Sequence, residues 1–218
     1  MSTIYGEQHR ALQSMFEAQP LADRLRELII TAEIQDDHKA FIESRDFFFL
    51  STVDHRGFPT CSHKGGYPGF VKVLDSRSLA FPLFDGNGMF LSAGNVAGQG
   101  KVGMLFIDFE TPHRVRVHGT ATLTHDRAAL SAFPGAELVI AVRVEEIFVN
   151  CPRYIHTYQR IATSRYVPCA TGQAPAPQWK RIDSLQDVLR PQDRDVAEST
   201  GGVITPDEYL EKLRRSEA

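Results

Sequence analysis

Lys64 is the residue around which a reaction site is most simply built. It closes the segment Phe58–Lys64, in which Thr60, Ser62 and Lys64 alternate onto one face, and Gly65-Gly66-Tyr67-Pro68-Gly69 follows. Hydroxyls and an ammonium on one face, beside glycines that permit close backbone approach, suit a phosphate monoester. A polar edge strand closed by a flexible loop gives the same pattern, and Pro59 agrees with an edge or strand start on either reading. A second polar row lies in Arg114–Thr124, where Arg114, Arg116, His118, Thr120, Thr122 and Thr124 alternate with Val115, Val117, Gly119, Ala121 and Leu123. Arg116 is the best anion donor of that row, although a half-solvated strand alternates in the same way. The third candidate joins Asp85-Gly86-Asn87-Gly88 to Ser92-Ala93-Gly94-Asn95. At a helix entry, Asn87, Ser92 and Asn95 can present side-chain and backbone donors to a phosphate.

Other chemistries lack their residues. Gly98-Gln99-Gly100-Lys101 fails as a Walker A loop, since Asn95 stands where its first glycine belongs and Val102 where Ser or Thr must hold magnesium. No G-x-G-x-x-G follows a strand in a βαβ context, and neither G-x-S-x-G nor H-E-x-x-H occurs. Of eight scattered histidines, His63 and His118 are the two that could line a site, or that could simply be hydrogen-bonded or exposed. Cys61, Cys151 and Cys169 form no CxxC pair and are odd in number, so neither a disulfide framework nor a structural metal is expected. With 24 Lys and Arg against 27 Asp and Glu, the net charge of -3 offers nothing to neutralise a phosphate backbone, and nucleic acid is not an expected partner. The apolar runs Phe47–Leu50 and Leu138–Val142 are far short of the ~20 residues of a membrane span. The opening MSTIYGEQHR has no apolar signal region, which points to the cytoplasm.

A chain of 218 residues that is 42% hydrophobic has material for one enlarged domain with a real core. Residues 1–44 read as helical. Ala11, Leu12, Met15 and Phe16 mark one apolar face, Leu21, Leu25, Leu28 and Ile29 a second, and Gln35–Glu43 a third short helix. These helices are expected to lie as a layer on the rest. From Asp46 the texture turns to strands punctuated by turns: Asp46–Val53, Phe58–Lys64, Phe70–Leu74, Leu79–Leu83, Val102–Asp108, Arg114–Thr124 and Leu138–Val149. Helical segments Met89–Gly98 and Asp126–Phe133 interrupt them. A helix is expected to begin within 152–169, and Glu208–Arg215 reads as a terminal helix. Hairpin-linked strands argue an antiparallel barrel rather than a parallel sheet, a mainly β (α+β) class.

Taken in order, several segments resemble a known family. They are Ser62-His63-Lys64-Gly65-Gly66, Pro68–Asp75, Leu79-Ala80-Phe81-Pro82, Asp85–Met89, Gly94-Asn95, Val102–Asp108, Arg114–Ala121 and Asn150–Ile155. The set is similar to the FMN-binding proteins related to pyridoxamine 5'-phosphate oxidase, over about residues 40–160. The resemblance implies a split antiparallel β-barrel with N-terminal helices and flanking short helices. It also implies a homodimer holding FMN in clefts between its subunits. Domain bounds follow as 1–44 for the helical segment, 45–160 for the barrel and 161–218 for an extension of the same domain. By position, Ser62 and Lys64 would lie near the phosphate or ribityl chain. Val71, Lys72, Phe81 and Pro82 would run along the flavin ring, Asn87, Ser92 and Asn95 would close the phosphate end, and Arg116 would approach from its polar row. The family's basic pair is replaced here by Asp85-Gly86-Asn87-Gly88-Met89, and its C-terminal Arg-Leu-x-Pro segment is absent, with only a faint echo in Trp179-Lys180-Arg181. The resemblance therefore implies an FMN-dependent oxidoreductase with another small-molecule substrate or a reduced nicotinamide donor. A non-catalytic flavin-binding or redox-sensing protein and a haem-binding barrel are the other readings that such a fold allows.

Overall fold

A computed structural model describes residues 4–217; Met1, Ser2 and Thr3, part of the N-terminal stretch read above, lie outside the described residues. Seven strands form one antiparallel sheet: β1 (Phe47–Val53), β2 (Pro59–Gly65), β3 (Lys72–Asp75), β4 (Ser78–Phe84), β5 (Lys101–Asp108), β6 (His113–Thr124) and β7 (Ala136–Val149). Their order is β2-β1-β5-β6-β7-β4-β3, so β2 and β3 are free edges and the sheet does not close by hydrogen bonds. It nevertheless curls on itself. Phe48 on β1 and Phe81 on β4 have three strands between them in that order, yet their rings meet edge to face at 4.9 Å. Phe106 joins them at 5.0 Å from Phe48, and all three are fully buried. Each such ring contributes about 1.5–3 kcal/mol through the water it sheds, which is why the curl holds without an edge-to-edge ladder.

Strand alternation sorts the side chains. On β1, Phe48, Leu50 and Thr52 point inward, and their partners on β2 are Lys64, Ser62 and Thr60. One row therefore runs Ser62–Leu50–Met104–Val117 across β2, β1, β5 and β6 on the inner face. The neighbouring row His63–Phe49–Leu105–Arg116–Phe148 lies on the outer face. At Gly119 the β6–β7 register shifts, and a Cβ there would stand 2.5 Å from the Arg143 carbonyl oxygen; only glycine fits this bulge.

The helices divide unequally. α3 (Asp36–Ser44) buries His38 and Ile42 against the sheet. By contrast α1 (Glu7–Met15) and α2 (Gln19–Ile29) bury no residue, and their Leu12, Met15, Phe16, Leu21 and Leu28 are exposed. The expected layer is thus α3, while α1 and α2 form a hairpin that touches the sheet at its far end through the Thr31–Ile147 bridge. α4 (Leu91–Gln99) packs on β1 and β6, and α5 (Arg127–Ser131) packs on β7. No helix occurs in 152–169: residues 150–177 cross the surface without regular structure, Tyr158 N donating to Phe109 O at 3.0 Å. The tail then folds into short turns, α6 (Val196–Ser199) and α7 (Pro206–Arg214), the last capped by Thr205 with Glu208. Among the described residues no helix is long and apolar enough to cross a membrane.

Candidate functional site

The inner face of β2 meets the start of α4, and the polar residues there have mostly each other for company. Lys64 Nζ lies 3.3 Å from Ser92 Oγ, and Ser92 Oγ is 3.1 Å from Ser62 Oγ. One turn along α4, Asn95 Nδ2 donates to Thr52 Oγ1 at 2.9 Å and to Thr60 Oγ1 at 3.3 Å, while those two hydroxyls are 2.7 Å apart. Lys64 is half-buried and, among the described residues, has no carboxylate within ion-pair reach. Burial pushes its ammonium below the ordinary value. Ser92 occupies the first turn of a nine-residue helix, where backbone N–H groups have no intrahelical acceptor and the helix dipole is positive. An ammonium short of counter-charge, four hydroxyls, an amide and a helix start form a donor set for a phosphate dianion.

Four of the ten expected cofactor residues therefore come together: Ser62, Lys64, Ser92 and Asn95. The other six do not join them. Val71 and Phe81 have no exposed surface and Pro82 is also buried, so these side chains pack the core and present no face for a ring. Lys72 is drawn to α5, its Nζ donating to Ala132 O at 2.8 Å and sitting 5.0 Å from the Phe133 ring centre. Asn87 is exposed and turns its Oδ1 back to Met89 N at 3.1 Å. Arg116 stands on the outer face, across the sheet from Ser62, because the pairing places the two in adjacent rows of opposite direction. The spaces beside the paired glycines are taken as well. A Cβ on Gly66 would meet the Phe70 ring at 2.4 Å and one on Gly65 would meet His63 at 2.9 Å, so these glycines serve packing. Thr52 was missed, and its signal was present: a hydroxyl alternating with Phe48 and Leu50 on an otherwise apolar face.

An open cleft of about 510 Å³ lies over the outer turn of α4, with Asn95, Met89, Phe90 and His55 on its walls. Phe90, in left-handed backbone at φ 50, caps α4 and is exposed beside Met89 and Leu91. The loop between β4 and α4 that carries Asp85 is tied down from the tail. Lys180, with its side chain 3% exposed, bridges Asp193 at 2.7 Å and Asp85 at 2.5 Å. Burial alone would depress Lys180; its hydrogen bonds to Asp193 and Asp85 outweigh that and raise its pKa. Arg190 adds a bridge to Glu137 and another to Asp85. The residues of the Trp179-Lys180-Arg181 echo are thus structural in this chain, Arg181 being turned to the carbonyls of Gly201 and Gly202.

The family model described as pyridoxamine 5'-phosphate oxidase matches residues 34–151. No curated protein matches the chain. Among solved structures, the chain is similar to HupZ of Group A Streptococcus at 19% identity, over 58% of this chain and 99% of that one, with a TM-score of 0.45. It is similar to an FMN-binding protein of Syntrophomonas wolfei at 13% identity over 65% and 97%, TM-score 0.43. A third is general stress protein 26 of Bacillus anthracis, at 14% identity over 50% and 88%, TM-score 0.38.

Proposed function

The chain belongs to the pyridoxamine 5'-phosphate oxidase family, and from that premise we propose that it is an FMN-binding oxidoreductase with a small-molecule substrate other than pyridoxamine phosphate. The observation that carries this reading is Lys64: a half-buried ammonium whose partner is a serine hydroxyl, set at a helix start among further hydroxyl and amide donors. A phosphate dianion supplies the missing counter-charge and restores the lysine toward its ordinary pKa. Lys64 and Ser92 hold that phosphate, Ser62 orients Ser92, and Asn95 fixes α4 against β1 and β2 through Thr52 and Thr60. Bound FMN would supply hydride or electron transfer; the chain supplies position and electrostatics. Asp85, held by Lys180 and Arg190, stands where the family carries basic residues, which supports a substrate lacking a second phosphate.

The proposed active unit is a cytoplasmic homodimer with flavin at the subunit interface. Its support is the outer face of β1, β2 and β5, which carries a half-exposed ring stack. Phe47 lies 5.4 Å from His63 and 5.9 Å from Phe109, both stacked. A permanent dimer is expected to bury above ~2,000 Å², and light scattering that gave a monomer at full flavin occupancy would overturn it.

An absorption spectrum tests the cofactor first, oxidised-flavin bands supporting the reading and a Soret band overturning it. Lys64→Ala then tests the site. A charge-assisted bond to phosphate is worth ~1.5–3 kcal/mol, so FMN binding weakens by roughly 10- to 150-fold while riboflavin, which lacks the phosphate, is hardly affected. Equal losses for both flavins would move Lys64 away from the phosphate.

A further inference from the structure

Arg116 is the one expected site residue with an unpaired charge on the wrong side of the sheet, and a second cleft explains it. We propose that the space between the α1–α2 hairpin and the outer face of β6 and β7 binds a small aromatic organic anion, with Arg116 as its anchor. The cleft measures about 450 Å³, within the ~300–1,000 Å³ of small-ligand sites. One wall is apolar, made by Leu25, Ile29 and Ile30 of the hairpin and by Phe148. The other is cationic or basic: Arg116, Arg26, His9 and His118.

Charge and apolar surface are present together, and the charge is uncommitted. Among the described residues the exposed side chain of Arg116 makes no hydrogen bond, ion pair or ring contact. Arg26 reaches carboxylates only loosely, at 4.0 Å to Asp23 and 3.7 Å to Glu27. His118 is already engaged by Glu146 at 3.0 Å and edges against Phe148, so it shapes the wall rather than adding a free cation. A separate observation points the same way. Asn150 also lines the cleft, and its Oδ1 is buried without a donor among the described residues. A buried acceptor lacking its bond calls for an explanation, and a donor entering the cleft is the one taken here. The ligand class is accordingly an aromatic carboxylate or sulfonate that also carries an N–H or O–H. A free phosphate or a nucleotide does not fit a wall this apolar.

The hairpin lies outside the matched residues 34–151, so the cleft is an addition to the family core. Arg116 and Lys64 of one chain face opposite sides of the sheet, and competition with FMN distinguishes this cleft from a flavin shared between subunits. The test uses two fluorescent probes, 8-anilino-1-naphthalenesulfonate and N-phenyl-1-naphthylamine, which share the aromatic frame and its N–H and differ in the sulfonate. The sulfonate is expected to bind saturably at one site per chain. Arg116→Leu weakens it by about 10- to 50-fold, as for loss of a charge-assisted contact, and leaves the neutral amine within about 2-fold. Arg116→Lys retains most of the affinity, and Ile29→Trp, which fills the cleft, weakens both probes. Excess FMN does not displace the sulfonate, and Arg116→Leu keeps wild-type FMN affinity. Non-saturable binding, equal affinity in Arg116→Leu, or displacement by FMN would each overturn the proposal; the last would place the probe in the flavin site instead. A circular dichroism spectrum and melting curve matching wild type identify folded variants, and Arg116→Gln, expected to weaken the sulfonate to the same degree, carries the charge test if Arg116→Leu does not fold.

Discussion

Lys64 and Lys180 both leave bulk water, and they do so in opposite company. Lys180 enters the tail's turns with two carboxylates waiting, Asp193 and Asp85, and its charge is held there more firmly than in water. Lys64 reaches the start of α4 and meets a serine hydroxyl, so burial depresses it. A charge whose cost is met inside the chain is a staple: it fastens the segment 178–194 to the loop before α4. A charge whose cost is not met is waiting for a partner, and stability lost in the free protein returns as binding free energy when an anion arrives. The comparison sets a lysine partnered within the chain apart from the lysine proposed to hold a phosphate.

The largest effect that could break this contrast is Lys180→Met. It leaves two carboxylates facing each other, one of them nearly buried, and should destabilise the protein by about 3 kcal/mol in urea denaturation. A loss below about 1 kcal/mol would mean that the tail is not stapled there. Lys64→Met is expected to behave oppositely. FMN affinity falls as for Lys64→Ala, yet the unliganded protein unfolds at a urea concentration no lower than wild type, because a desolvated charge has been removed. A clear loss of unliganded stability would make Lys64 a staple too.

Asn95→Ala sharpens the description of the site's floor. It removes the donor shared by Thr52 and Thr60, and a part-buried hydrogen bond is worth about 1 kcal/mol, so a loss of that size in stability is expected with a few-fold loss in FMN affinity. No change in either would detach α4 positioning from the site. The smallest effect is in alkaline pH dependence, where the two lysines part in sign. Lys64 has a folded-state pKa below its ordinary 10.5, so its cost is present at neutral pH and disappears as pH rises through the window below 10.5. The stability gap between wild type and Lys64→Met should close over that window. Lys180 has a folded-state pKa above 10.5, so its contribution is fully present below 10.5 and is lost only above it. Denaturation series between pH 8 and 10.5 in the two variants decide this: a Lys180→Met gap that narrows before 10.5 contradicts the assignment.

The sequence by itself carried whatever depends on local backbone geometry. A strand turns successive side chains to opposite faces, so Thr60, Ser62 and Lys64 had to share one face and Arg116 had to share another with His118; both followed from alternation alone. Turn residues placed breaks at Asp54–Gly57 and within Asp75–Ser78, of which Ser76 and Arg77 lie between strands, and the acidic opening of α3 placed its start. Which face of β6 looks inward relative to β2 is a different matter. It is set by register across β1 and β5, and that pairing put Arg116 behind the sheet from Lys64. Tertiary packing also decided that Val71 and Phe81 fill the core, that Gly66 makes room for Phe70, and that a lone Thr52 becomes part of a polar cluster once α4 brings Asn95 to it. The Lys180–Asp85 bridge spans 95 residues, a separation at which no periodicity in the chain couples two side chains. Alternation fixes direction within a strand; only the folded sheet, by curling Phe48 onto Phe81, decides which directions meet.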